Sequence, residues 1–330
     1  MAEKEGQPVS RERLHEYAMA LKNWGKWGPD DEVGALNYIT PDSIIEAARL
    51  VKKGKVFGLG IPFGPEGPQI AGWGGRTNPM RTMMASGADF VVDDTKEVDI
   101  AFSDDYVCMP TQSATHWDAL GHVFYRYKEA NGKWKTVMWN GYPAENVTGR
   151  GLAKSGIHTM KNKMVGRAVL LDIARHKGID PLPDGFGITT QDLEACAAAE
   201  KVEVKSGDFL LIRTGQLGQR IRDGWGQYAA GPAPGLEFET LRWIHDKEIA
   251  AVGSDTWGIE VRPNRTTENI FQPWHQITIP ILGVTHGEMF WSDELAADCA
   301  EDGQWAFLLV APVIPFTNGA GSPVNPIAIK

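Results

Sequence analysis

The stretch Thr111-Gln-Ser-Ala-Thr-His-Trp-Asp-Ala-Leu-Gly-His122 carries three side chains of metal-ligating type, His116, Asp118 and His122, within seven residues. On an extended strand successive side chains alternate faces, so Gln112, His116 and Asp118, at even spacings, point the same way. A helix would place His116 and Asp118 about 200° apart around its axis. The spacing therefore predicts a strand that runs into a loop, where Ala119-Leu-Gly121 turns the chain and lets His122 close the ligand set. Imidazole and carboxylate together suit zinc, manganese or iron. Three protein ligands leave a coordination position for water, which is the mark of a catalytic site. Trp117, on the opposite face, reads as core.

The rest of the chain sets the frame for that site. Its 330 residues, 42% hydrophobic and 23% charged, are enough for one large domain with a sizeable core. Acidic residues outnumber basic ones by nine without any basic block, which disfavours nucleic acid and anionic membrane as partners and favours a small-molecule substrate. No apolar run reaches membrane-span length, and the polar start lacks the apolar core of a signal peptide, so the expectation is a cytoplasmic protein. Cys108, Cys196 and Cys299 are widely spaced and make neither a disulfide framework nor a zinc cluster. Cys108 follows the reading of either a nucleophile or an inert thiol. No GxGxxG or GxxxxGK[ST] motif occurs, so no nucleotide cofactor is expected.

Helical spacing marks Ser10 to Asn23, and a second helix starts at Thr40, which caps it, with Pro41 in the first turn and an apolar face running to Lys52. Strands are expected at 55–61, 167–172, 209–214 and 249–254, with helices at 190–200 and 236–247. This alternation predicts an α/β or α+β domain with a mixed sheet. Between them, Gly72-Trp-Gly-Gly-Arg-Thr-Asn-Pro79 is long and glycine-rich, as a lid would be, and it offers Arg76, with Arg81 beyond, to an anionic substrate. Trp73, Trp139, Trp274 and Trp291 are candidates to line a pocket for a flat ring.

A hydrolytic site also needs groups that move protons. Pro273-Trp-His-Gln276 and Val284-Thr-His-Gly-Glu288 bring His275, His286 and Glu288 close in sequence, and Asp255 stands at an expected strand end where it would orient a histidine. With these residues included, the sequence resembles the cyclase family of metal-dependent hydrolases, which includes bacterial kynurenine formamidase, isatin hydrolase and trans-dienelactone hydrolase. The family signature, His-x-Gly-Thr-His-x-Asp-x-Pro-x-His, stands here as Gln112-Ser-Ala-Thr-His-Trp-Asp-Ala-Leu-Gly-His122, matching at Thr115, His116, Asp118 and His122. Gly207-Asp-Phe-Leu-Leu-Ile-Arg-Thr214, Gly253-Ser-Asp-Thr256, His275, Glu288 and Gly321-Ser-Pro323 extend it.

The resemblance implies a swivelling β/β/α fold, α/β in class, over a single domain 1–330 with residues 1–35 as an N-terminal extension. It also implies assembly as a homodimer or homotetramer. Gln112 replaces the leading histidine, so the expected content is one divalent ion, zinc or manganese, held by His116, Asp118 and His122 with Gln112 as a weak ligand. His275 or Glu288 would protonate the leaving atom. The expected activity is opening of a small cyclic amide or lactone. The alternatives are an arylformamidase-type amide hydrolase, a ring-closing cyclase, and a non-catalytic protein that binds metal or a small molecule.

Overall fold

Val165–Asp172 and Phe209–Arg213 are buried along nearly their whole length, the pattern of strands covered on both faces. They lie at the centre of a nine-stranded mixed sheet in the computed structural model, which describes residues 7–70, 72–92 and 100–330. In chain order its strands are β1 (Val56–Gly58), β2 (His116–Asp118), β3 (Val165–Asp172), β4 (Phe209–Arg213), β5 (Ala251–Ser254), β6 (Thr285–Glu288), β7 (Ala306–Val310), β8 (Gly321–Pro323) and β9 (Ile327–Ile329). They are arranged β1-β9-β7-β3-β4-β5-β6-β2-β8. The central run β3 to β6 is parallel, and antiparallel strands extend it on both sides.

Period-two alternation divides the core. Val169, Leu171, Leu210, Ile212 and Val252 join one apolar cluster, whereas Ala168, Leu170, Phe209, Leu211 and Ala251 join the other. Helices cover the sheet, and their starts follow local capping chemistry. Thr40 and Ser43 form a capping box on Pro41–Ala48, and Thr189 with Asp192 does the same for Thr190–Ala199. Pro41–Ala48 ends short of the expected Lys52. The helix expected at 236–247 begins only at Thr240. Gly235–Leu236 instead pairs in parallel with Gly187–Ile188, and the Leu236 amide donates to the Ile259 carbonyl at 2.9 Å.

From residue 7 onward the N-terminal segment is built into this domain. Leu14, Ala18 and Leu21 are buried in the first core cluster, and the Asn23 amide donates to the Ile281 carbonyl at 3.1 Å. A separate two-stranded antiparallel sheet pairs Met80–Ala85 with Asp104–Cys108 and leaves Met84 and Tyr106 exposed. Among the described residues no helix is long and apolar enough to cross a membrane.

Candidate metal centre

Strand register builds the site. In the antiparallel pairing of β6 with β2, Glu288 stands opposite His116 and Gly287 opposite Trp117, which sets His286 beside Asp118 on the same face. Four ligand-type side chains thus share one patch of sheet. The reverse face is apolar. Trp117 packs edge-on against Phe290, with ring centroids 4.9 Å apart, and its indole N–H donates to the Ala311 carbonyl at 3.0 Å. Position 287 must be glycine for this, because a Cβ there would sit 2.7 Å from both the Trp117 and Phe290 rings. His275 reaches the cluster from the short helix His275–Ile277.

Each buried imidazole is tied through one nitrogen. His116 Nδ1 donates to the Ala114 carbonyl at 2.7 Å, and His275 Nδ1 to Glu260 Oε1 at 2.7 Å. The Thr278 hydroxyl donates to the Trp274 carbonyl and so accepts from His286 Nε2, at 2.7 Å. The other nitrogens are left as lone pairs at the cluster. His116 Nε2 lies 3.5 Å from Asp118 Oδ1 and 3.3 Å from Glu288 Oε2, and His275 Nε2 lies 3.2 Å from Glu288 Oε1. One ligand atom each of Asp118, His275, His286 and Glu288 lies within 4.8 Å of the others.

These contacts bring lone pairs towards carboxylate oxygens, which is repulsive unless a cation stands between them. Without a metal, protons take that place. Burial opposes the charged form of His116, but Asp118 and Glu288 outweigh it and push the imidazole up to about 9. Burial likewise opposes charge on His275, yet Glu260 and Glu288 raise it to about 10. Asp118, despite burial, is held far below the carboxylate range by His122 and His116. His286 is pushed well below its ordinary value by burial and the charge of His275, so it stays neutral. His116 Nε2, Asp118 Oδ1 and His286 Nδ1 are buried with no hydrogen-bond partner. A divalent ion fits this donor set of imidazole nitrogens and carboxylate oxygens, each nitrogen oriented by an outer partner.

The expected ligands and proton carriers are thus redistributed. His116 and Asp118 face the cluster, and His275 and Glu288, expected as proton carriers, join it. His286, a candidate proton carrier beside those two in the sequence, belongs to it as well. His122 stands at the edge, its side chain a quarter exposed, with Nε2 3.7 Å from Asp118 Oδ1. Gln112 lies one layer further out. Its Oε1 accepts from the Thr111 hydroxyl at 2.9 Å and its Nε2 faces His122 Nδ1 at 3.5 Å, so the weak-ligand role does not fit. The cause is local: residues 111–115 are turns and bends, and the face alternation of β2 does not reach back to Gln112.

Asp255 orients no histidine. Its carboxylate accepts from the Thr214 and Gly215 amides at 2.8 and 2.7 Å and fastens the turn ahead of Gln216–Asp223. Glu260 does the orienting instead, and nothing near it in sequence announced that. Cys108 is exposed on the separate two-stranded sheet, and Arg81 pairs there with Asp105 at 3.2 Å.

A cavity of about 930 Å³ opens over this centre, lined in part by Gly74, Arg76, Gln112, His122 and His275. It narrows to a recess of about 30 Å³ lined by Arg76, Asp118, His122 and Glu288 among others. Arg76 lines both spaces. Trp139, Trp274 and Trp291 do not line either. Trp139 is fully buried, donating to Asp31 Oδ1 at 3.0 Å. Trp274 lies behind the centre, its indole N–H on Thr240 Oγ1 at 3.0 Å and its ring centroid 5.1 Å from that of His286. Trp291 packs in a separate apolar cluster with Ile61 and Met289. The side chain of Trp73 lies outside the described residues. Phe124, Trp134 and Phe271 supply the aromatic lining instead.

Residues 39–261 match the sequence model of the Cyclase family, described as "Putative cyclase". The chain belongs to the Cyclase family. A solved structure described as a novel cyclase is 41% identical at a TM-score of 0.85, the match covering 95% of this chain and 99% of that one. Isatin hydrolase A from Labrenzia aggregata, bound to benzyl benzoate, is 17% identical at a TM-score of 0.59, covering 87% of this chain and 97% of that one. An isatin hydrolase bound to the product analogue thioisatinate is 16% identical at a TM-score of 0.59, covering 88% and 98%. At those lower identities the likeness is one of fold, and it agrees with the expected α/β class: a curled mixed sheet surrounded by helices. No curated protein matches the chain. Within the Cyclase-family match, β2 lies inside the matched residues, whereas His275, His286 and Glu288 lie beyond their end.

Proposed function

We propose that the chain is a metal-dependent hydrolase that opens a small cyclic amide or lactone. The observation that carries this reading is the set of three buried imidazoles, each tied outward through one nitrogen and turned inward with the other, around two buried carboxylates. Asp118, His275, His286 and Glu288 would hold a divalent ion, zinc or manganese, with His116 Nε2 beside the two carboxylates. Such an ion, when bound, lowers the pKa of water towards neutrality and polarises a carbonyl.

The chain's own residues supply the rest. His122 lies between the centre and the cavity. Burial and the charge of Arg76 lower its pKa, against the pull of Asp118, and so favour the neutral imidazole that can take a proton. It takes one at Nε2 from the attacking water and returns it to the leaving nitrogen or oxygen, the Gln112 amide being turned so that its oxygen accepts from Nδ1–H. His275 and Glu288, held in the cluster, serve as ligands. The isatin hydrolases among the similar folds make a cyclic amide a sensible first substrate.

The test is ring opening of isatin, dienelactone and simple lactones by metal-loaded protein, with and without chelator. Turnover that chelator removes and zinc or manganese restores is the expected result. Undiminished turnover after complete removal of metal would overturn the reading.

A further inference from the structure

Although acids outnumber bases in the chain by nine, no aspartate or glutamate lines the 930 Å³ cavity among the described residues, whereas Arg11, Arg76 and Arg126 do. Arg11 is answered by Glu268 at 2.6 Å and adds little net charge. Arg126 is different. It sits on a hairpin, Tyr125–Lys128 with Trp134–Val137, directly opposite Thr136 and diagonal to Trp134, and all three line the cavity. Its guanidinium lies over the Trp134 ring, 4.6 Å from the centroid, and among the described residues no carboxylate pairs with it. A guanidinium placed on an indole keeps a planar fork of N–H donors for a carboxylate. Arg76 lines both the cavity and the recess beside Asp118 and Glu288, so the two arginines mark a cationic wall from rim to floor.

We propose that the substrate carries a carboxylate besides the bond that is opened, and that Arg126 and Arg76 hold this carboxylate in the outer cavity. A planar body between the two ends would pack on Phe124 and Phe271. In an acidic protein, a cavity of this charge also concentrates anions at its mouth. The inference rests on the hydrolase reading for where the scissile bond lies, but not for the binding of the anion.

The probes are benzoate and benzamide, which differ in charge and little in shape, titrated calorimetrically into metal-loaded protein. Benzoate is expected to bind at least about tenfold more tightly than benzamide. Arg126→Gln and Arg76→Gln should each weaken benzoate about tenfold and leave benzamide unchanged, the latter reporting an intact cavity. Arg126→Lys should retain part of the preference. Arg81→Gln, the same charge change on the exposed two-stranded sheet, should bind benzoate as wild type does. Equal binding of the two probes, or benzoate affinity that survives Arg126→Gln because the metal alone holds it, would overturn the proposal. Ring opening of neutral lactones alongside equal probe binding would sink this inference and leave the hydrolase reading standing. Arginine-dependent benzoate binding without ring opening would do the reverse.

Discussion

Glu260 is the residue whose removal tests the centre from outside it. Its Oε1 accepts from His275 Nδ1 at 2.7 Å and from the His275 amide at 3.0 Å, while Oε2 accepts from Asn264 Nδ2 at 2.8 Å and the Trp274 amide at 3.2 Å. Glu260→Gln keeps the size and offers one carbonyl oxygen and one NH2 group. If the oxygen stays with His275, the NH2 meets two donors that have lost their acceptor. Asn264 cannot turn to relieve this, because its Oδ1 accepts from the Gln272 amide at 2.9 Å. Losing charge-assisted bonds and stranding buried donors costs roughly 2–4 kcal/mol of stability. Losing the partner that orients a ligand histidine weakens metal binding by about 10- to 100-fold, or ~1.4–2.7 kcal/mol. The assay is competition with a chromophoric chelator, run beside Glu237→Gln, a buried glutamate paired with Arg265 at 2.7 Å. That control should keep wild-type metal affinity. Metal affinity of Glu260→Gln within about threefold of wild type, in a folded protein, would refute the reasoning.

Three further outcomes follow from the same geometry. Asp118→Asn should lower metal affinity by more than ~100-fold and abolish ring opening with it, since it alters a ligand rather than a ligand's partner; metal content and turnover measured on one preparation check this. Gly287→Ala should cost ~1–3 kcal/mol in urea denaturation, because its Cβ meets the Trp117 and Phe290 rings at 2.7 Å; an unchanged midpoint would mean the reverse face of the site is loosely packed. Burial pushes the Glu200 carboxyl up to about 8, against the hydrogen bond it accepts from the Asp172 amide at 3.0 Å. Its folded pKa thus lies above the unfolded value, so its contribution to stability is full below about pH 4.5 and is lost as pH rises towards 8. Glu200→Gln should match wild type near pH 5 and exceed it by up to a few kcal/mol at pH 8; a constant difference between the two across that range contradicts the assignment.

What the sequence made legible was local. The alternation of His116, Trp117 and Asp118 already divided ligand from core, and the structure puts Trp117 against Phe290 and the other two on the opposite face. Thr40 and Pro41 announced their helix for the same reason, since a cap acts within one turn. That His286 and Glu288 meet Asp118 and His116 depends on β6 pairing with β2 in one register, and only the long-range pairing decides that. Glu260 and Thr278 act through contacts made when separate segments fold together. The tryptophans misled because an indole with a satisfied N–H is good core material, and Trp139 and Trp274 have such partners inside.

The most direct test of the central claim is anomalous diffraction at the zinc or manganese edge from crystals of metal-loaded protein. The account predicts an anomalous peak among Asp118, His275, His286 and Glu288, at the ~2.0–2.2 Å typical of imidazole and carboxylate ligands. An ordered cluster with no such peak, in protein supplied with both metals at neutral pH, would contradict it.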